Sequence, residues 1–115
     1  MKKMTVWVRG AVLLATVAGS AGVADVAYAG NAAAGKEKAK ACAACHGADG
    51  NTPISPDIPK LAGQQADYLI KSLQGYKSGA RKNPVMAPMG SNLSQRDMED
   101  LAAYFSSQQG LTTFK

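Results

Sequence analysis

Residues 42–46 read Cys42-Ala43-Ala44-Cys45-His46, and this stretch decides the fold. Cys42 and Cys45 are the only cysteines of the 115-residue chain, and His46 is its only histidine. On a helix the three side chains stand at i, i+3 and i+4 and project from one face. Two thiols so placed reach the two vinyl groups of a haem while the imidazole beside them reaches the iron, which is the C-x-x-C-H attachment pattern. The expected cofactor is therefore one covalent haem c with its iron, held by Cys42 and Cys45 and ligated by His46. Zinc is the first rival, but structural zinc takes four Cys or His ligands and the chain offers three. A thioredoxin-like redox pair needs a βαβ setting, and residues 30–115 have almost no β-branched, alternating stretch to supply strands. A plain disulfide would leave His46 without a purpose.

The segment upstream reads as a secretory leader. Lys2, Lys3 and Arg9 precede an apolar, small-residue run from Gly10 to Val23, and Ala27-Tyr28-Ala29 supplies a small-residue cleavage site before Gly30. This order is that of a signal peptide, and the run falls short of the roughly 20 apolar residues of a membrane span. We expect residues 1–29 to be removed after Ala29. Residues 30–115 would then form one exported, periplasmic domain with no membrane anchor. Export by default would pair two cysteines, whereas haem attachment outside the cytoplasm accounts for the thiols and for His46 together.

Cleavage removes Lys2, Lys3, Arg9 and Asp25, leaving 10 basic and 7 acidic residues. That modest excess lacks the basic stripe a nucleic-acid partner requires. Lys36, Lys38 and Lys40 are interrupted by Glu37 and read as a solvated helix face. The domain is also poor in large core residues, and small domains bury little apolar surface unaided. A haem would supply a rigid apolar body in compensation.

The pattern predicts three helices and two long loops. Asn31 caps a first helix running to Ala44 and carrying the motif at its end, with Gly47 as its stop. Gly47–Gly63 is a loop rich in glycine and proline. Residues 65–77 place Leu69, Leu73 and Tyr76 on one helical face, with Gly79 as terminator. Arg81–Leu93, marked by Pro84, Pro88 and Gly90, is the second loop. Ser94-Gln95-Arg96-Asp97 has the capping-box pattern, and Met98, Leu101, Ala102 and Phe105 form the apolar face of a last helix ended by Gly110. Loops this long are uncommon in compact domains unless something packs against them.

With no other histidine, methionine is the best remaining soft ligand for a second iron position. Met98 falls on the apolar face of the last helix and is assigned to the core. Met86 and Met89 share the proline-bounded loop, and spacing does not separate them. Packing roles for both, with the iron five-coordinate or holding water, are the remaining alternative. His/Met ligation is recurrent in cytochromes c.

The segments CAACHGADGNTP, PKLAGQQADYLIKSLQGYKSGAR, NPVMAPM and LSQRDMEDLAAYFSSQ span nearly all of residues 30–115. Together they resemble a small soluble bacterial class I cytochrome c, similar to one unit of the tandem two-haem periplasmic cytochromes. The resemblance implies an all-α fold whose first and last helices cross, with the haem between the two loops. It implies Met86 rather than Met89 as the sixth ligand. It also implies that the carbonyl of Pro59 accepts the Nδ1–H of His46, a bond that sets ring orientation and basicity. With one motif, the two-haem behaviour of tandem relatives is not expected.

The function expected is one-electron transfer by a monomer that docks transiently on protein donors and acceptors. No acid–base residues cluster near the motif, so an enzyme is not expected. A haem sensor or peroxide catalyst, opened by loss of Met86, is the second reading, and a zinc or disulfide module the third. Ala43, Ala44, Ala87 and Pro88, ringed by Lys40, Lys60, Arg81 and Lys82, form the expected docking face.

Overall fold

The computed structural model describes residues 30–111, together with Gly19. The expected leader and residues 112–115 otherwise lie outside the described residues. Five helices follow one another: α1 Ala32–Lys38, α2 Lys40–His46, α3 Ala66–Ser78, α4 Met86–Ser91 and α5 Gln95–Ser107. No strand occurs among the described residues, so the domain is all-α, as expected.

The first expected helix is two. Asn31 caps α1 as predicted, its side chain accepting from the amides of Ala33 and Ala34. At Ala39 the backbone tightens to ψ −13°, and Cys42 N–H bonds to the Ala39 carbonyl three residues back. This 3₁₀-type step bends the path without breaking it. The turn re-aims α2, which runs through the whole motif to His46 and stops at Gly47, whose φ of 88° only glycine adopts easily.

The last helix starts where predicted. Ser94 Oγ accepts from Asp97 N–H at 3.0 Å, and Asp97 Oδ2 accepts from Ser94 N–H at 2.8 Å, a reciprocal cap. Its end differs from expectation. α5 stops at Ser107, and Gly110 instead packs against Ala62, where a Cβ would collide with backbone. The second loop also holds a helix that its prolines and glycine concealed. Asn83 Oδ1 accepts from the amides of Val85 and Met86, both at 2.9 Å, and opens the turn that becomes α4. Gly90 is buried where α4 meets α3, and a Cβ there would lie 3.0 Å from Tyr76 Cβ.

The core gathers Ala39, Leu69, Ile70, Leu101, Ala102, Tyr104 and Phe105. Met98 is 1 % exposed, a core residue as assigned. α1 crosses α5 at Gly35, where any Cβ would fall inside the radius of the Asp100 carbonyl oxygen. The crossing is laced by charge. Lys38 Nζ lies 2.8 Å from Asp97 Oδ1 and 2.6 Å from Asp100 Oδ2, and Asp100 Oδ1 accepts from Asn31 N–H. The expected crossing of first and last helices is thus present.

Candidate haem-binding site

α2 delivers Cys42, Cys45 and His46 along one helical face. Both cysteines are half-buried and unlinked. Burial, and secondarily the neighbouring Cys45, pushes the Cys42 thiol up. His46 is 6 % exposed. Its Nδ1 lies 2.8 Å from the Pro59 carbonyl oxygen. A carbonyl only accepts, so Nδ1 carries the proton and Nε2 keeps a free lone pair. The ring is therefore presented in the tautomer an iron ligand needs.

The loop after α2 is tied rather than loose. Gly50 N–H bonds to the Gly47 carbonyl, and the Gly50 carbonyl accepts from the amides of Leu61 and Ala62. Ile54 N–H returns to the Cys45 carbonyl, and Gly63 N–H bonds to the Phe105 carbonyl. These bonds set Pro59 opposite His46. The sequence pattern predicts only a loop over Gly47–Gly63 and assigns Gly50 no role. Its positive φ of 77° and its tight approach to the Phe105 ring left only glycine density as a signal.

Met86 and Met89 stand at i and i+3 on α4, Met86 half-buried and Met89 36 % exposed. They sit on a short helix instead of the irregular loop expected. Ile54, Tyr68 and Val85 are 70 %, 52 % and 62 % exposed, large apolar side chains from the two loops and α3 that an apolar cofactor would cover. Two free thiols, a correctly protonated imidazole and apolar loop residues all fit a covalent haem. Among the described residues no three His, Cys, Asp or Glu side chains group as a metal site. Arg81 is committed to α3, its Nη1 donating to Ser72 Oγ at 2.7 Å and its guanidinium 4.8 Å above the Tyr76 ring. Lys40 pairs with Glu37, and with Ala43 it lines a groove against Tyr104.

Fold and site define a helical domain built to carry one covalently attached haem. A profile described as "Cytochrome c" matches residues 32–109, and the chain belongs to that family. It carries haem c through Cys42 and Cys45. It is 48 % identical over 98 residues to cytochrome c4 of Pseudomonas aeruginosa, covering 84 % of this chain and 48 % of that protein. It is also 48 % identical to cytochrome c-554(548) of Halomonas halodenitrificans, over 70 % of this chain and 100 % of that one. The crystal structure of reduced recombinant cytochrome c4 from Pseudomonas stutzeri superposes with a TM-score of 0.67 at 49 % identity, covering 72 % of this chain and 48 % of that one. The chain thus spans about half the length of the cytochrome c4 relatives it matches and the whole of cytochrome c-554(548). Its relatives are cytochromes c, electron carriers rather than enzymes. Among the described residues no helix is long and apolar enough to cross a membrane.

Proposed function

We propose that this chain is a periplasmic one-electron carrier, a monomer with His46 and Met86 as axial iron ligands, its leader cleaved after Ala29. The observation that carries the reading is the single histidine of the chain, adjacent to two free thiols, with Nδ1 committed to Pro59 and Nε2 available. When bound, haem iron supplies a one-electron couple. The protein's part is to hold that couple still. Cys42 and Cys45 would hold the group through thioether bonds, so no bond would need remaking on turnover. The Pro59 carbonyl raises the donor strength of His46. Met86, a thioether, would be the weaker of the two donors and would favour the reduced state. With both His46 and Met86 bound, the group would have no position left for substrate, in keeping with transfer rather than catalysis.

Partners would be redox proteins met transiently, through a small contact near the cofactor edge formed by Ala44, Ala87 and Pro88. Lys60 and Lys82 are the basic neighbours of this proposed face. Among the described residues neither is ion-paired. Acid–acetone extraction followed by intact mass tests the attachment and the leader together. The expected result is colour retained with the protein and a mass equal to residues 30–115 plus one haem. Haem lost to the organic phase, or a mass that includes residues 1–29, overturns the corresponding part of the proposal.

A further inference from the structure

Tyr104 is buried in the middle of α5, yet its hydroxyl does not serve α5. It donates to the backbone carbonyl of Ala48 at 3.0 Å, across 56 residues of sequence. Ala48 lies two residues beyond His46, between Gly47 and Gly50, both at positive φ. The turn it occupies closes a ring of bonds around the histidine. From His46 the chain runs to Gly50, whose carbonyl accepts from Leu61 and Ala62. That segment begins at Pro59, whose carbonyl receives His46 Nδ1–H. The flexible glycines give this ring little stiffness of its own. Its anchors on α5 are the Tyr104 hydroxyl and the Phe105 carbonyl, which accepts from Gly63 N–H at 2.9 Å. The Tyr104 ring is tilted against Phe105 at 5.1 Å, and the Tyr104 Cβ packs on α1 beside Gly35.

We infer that Tyr104 is a positioning residue for His46: its hydroxyl pins the 47–50 turn so that the Pro59 carbonyl stays in line with Nδ1–H, and so tunes the iron through the imidazole. This rests on His46 being an axial ligand. A strong Nδ1–H bond makes the imidazole more basic and favours ferric iron. Releasing the turn weakens that bond, so the reduction potential rises.

The test uses the holoprotein. Tyr104→Phe keeps the ring and removes only the donor. The expected result is an unchanged haem content and low-spin spectrum, a raised potential, and exchange of His46 Nδ1–H in the reduced protein about tenfold faster, the equivalent of one neutral hydrogen bond. Ser94→Ala removes the cap at the far end of α5 and destabilises the helix without touching the turn, so it should leave potential and exchange at wild-type values. Replacing Tyr104 with 3-fluorotyrosine strengthens the donor while preserving the fold and should shift the potential the opposite way. The inference is overturned if Tyr104→Phe leaves both readouts unmoved, if Ser94→Ala moves them equally, or if the fluorinated protein shifts in the same direction as Phe. Failure of the ligation reading is distinguishable in the wild type alone, as His46 ring protons without the large ring-current shift of an axial imidazole.

Discussion

At His46 one hydrogen bond settles a chemical question that composition leaves open. The imidazole has two nitrogens, and the Pro59 carbonyl at 2.8 Å assigns the proton to one and the lone pair to the other. The methionines lack such a bond. Met86 and Met89 occupy one short helix, so the assignment of Met86 rests on resemblance and on its deeper burial. Met86→Ala should abolish the weak near-infrared band of ferric methionine ligation and lower the potential. Met86→His should keep the iron six-coordinate and lower the potential further, since axial ligand identity spans about 0.8 V across haem proteins. Met89→Ala should do far less. Loss of the band in Met89→Ala, with Met86→Ala unaffected, would transfer the ligand role. Much of the site was legible because its residues are chemically rare here: two cysteines and one histidine leave little to choose among. What stayed hidden was backbone, above all the Gly50 carbonyl that accepts from Leu61 and Ala62, because main-chain acceptors carry no side-chain signature.

Helix by helix, the reading succeeded where apolar spacing was long and clean, as in α3 and α5. It failed where a helix is short. α4 was concealed because Pro88 and Gly90 read as breakers, although Asn83-Pro84 has the cap-then-proline order of a helix start. The bend at Ala39 left no trace, since alanine suits the helix on both sides. The α1–α5 crossing carries two predictions. Gly35→Ala gains about 1 kcal/mol of helix propensity, but its Cβ would overlap the Asp100 carbonyl. Overpacking of this kind costs about 1–3 kcal/mol or more, so the variant should unfold at lower denaturant; a higher midpoint would show that the helices can separate freely. The second concerns acid. Lys38 foremost, then the Ser94 backbone and side chain, hold the Asp97 carboxyl down to about 2 from its usual 3.8. Asp100 is lowered as well, first by Lys38. A depressed carboxylate contributes stability that is fully present above the unfolded value and is lost as pH falls through the folded one. Lys38→Met should therefore be less stable than wild type at pH 5, by a modest margin because solvent screens the exposed contacts. The gap should close between about pH 4 and pH 2, followed by thermal unfolding of the two holoproteins in parallel. A gap that persists unchanged at pH 2 would trace the loss to packing of the lysine stem.

For the molecule as a whole, function turns on how a small charged body meets its partner. The sequence placed four basic residues around the cofactor edge, but proximity in sequence does not show which cations are already engaged. Arg81 is held by Ser72 and the face of Tyr76 but keeps its charge, whereas Lys40 pairs with Glu37. Lys60 and Lys82 are exposed and, among the described residues, outside any ion pair. Docking of an electron carrier depends on fast encounter more than on tight binding, and rim charges act mainly on the encounter rate. Lys60→Glu and Lys82→Glu should each slow bimolecular electron transfer to a physiological partner with an acidic rim, while leaving the reduction potential unchanged. Lys36→Glu is the control of equal net charge, because Lys36 lines the groove beside Tyr104 with Lys40 and Ala43. The slowing should fade with added salt as the screening length contracts from about 8 Å at physiological strength. Stopped-flow rates across a salt series separate the outcomes. Equal slowing by all three variants would mean that net charge alone steers the encounter, and the face around Lys60 and Lys82 would lose its claim. Slowing confined to those two would place the partner over the surface that carries Lys60 and Lys82.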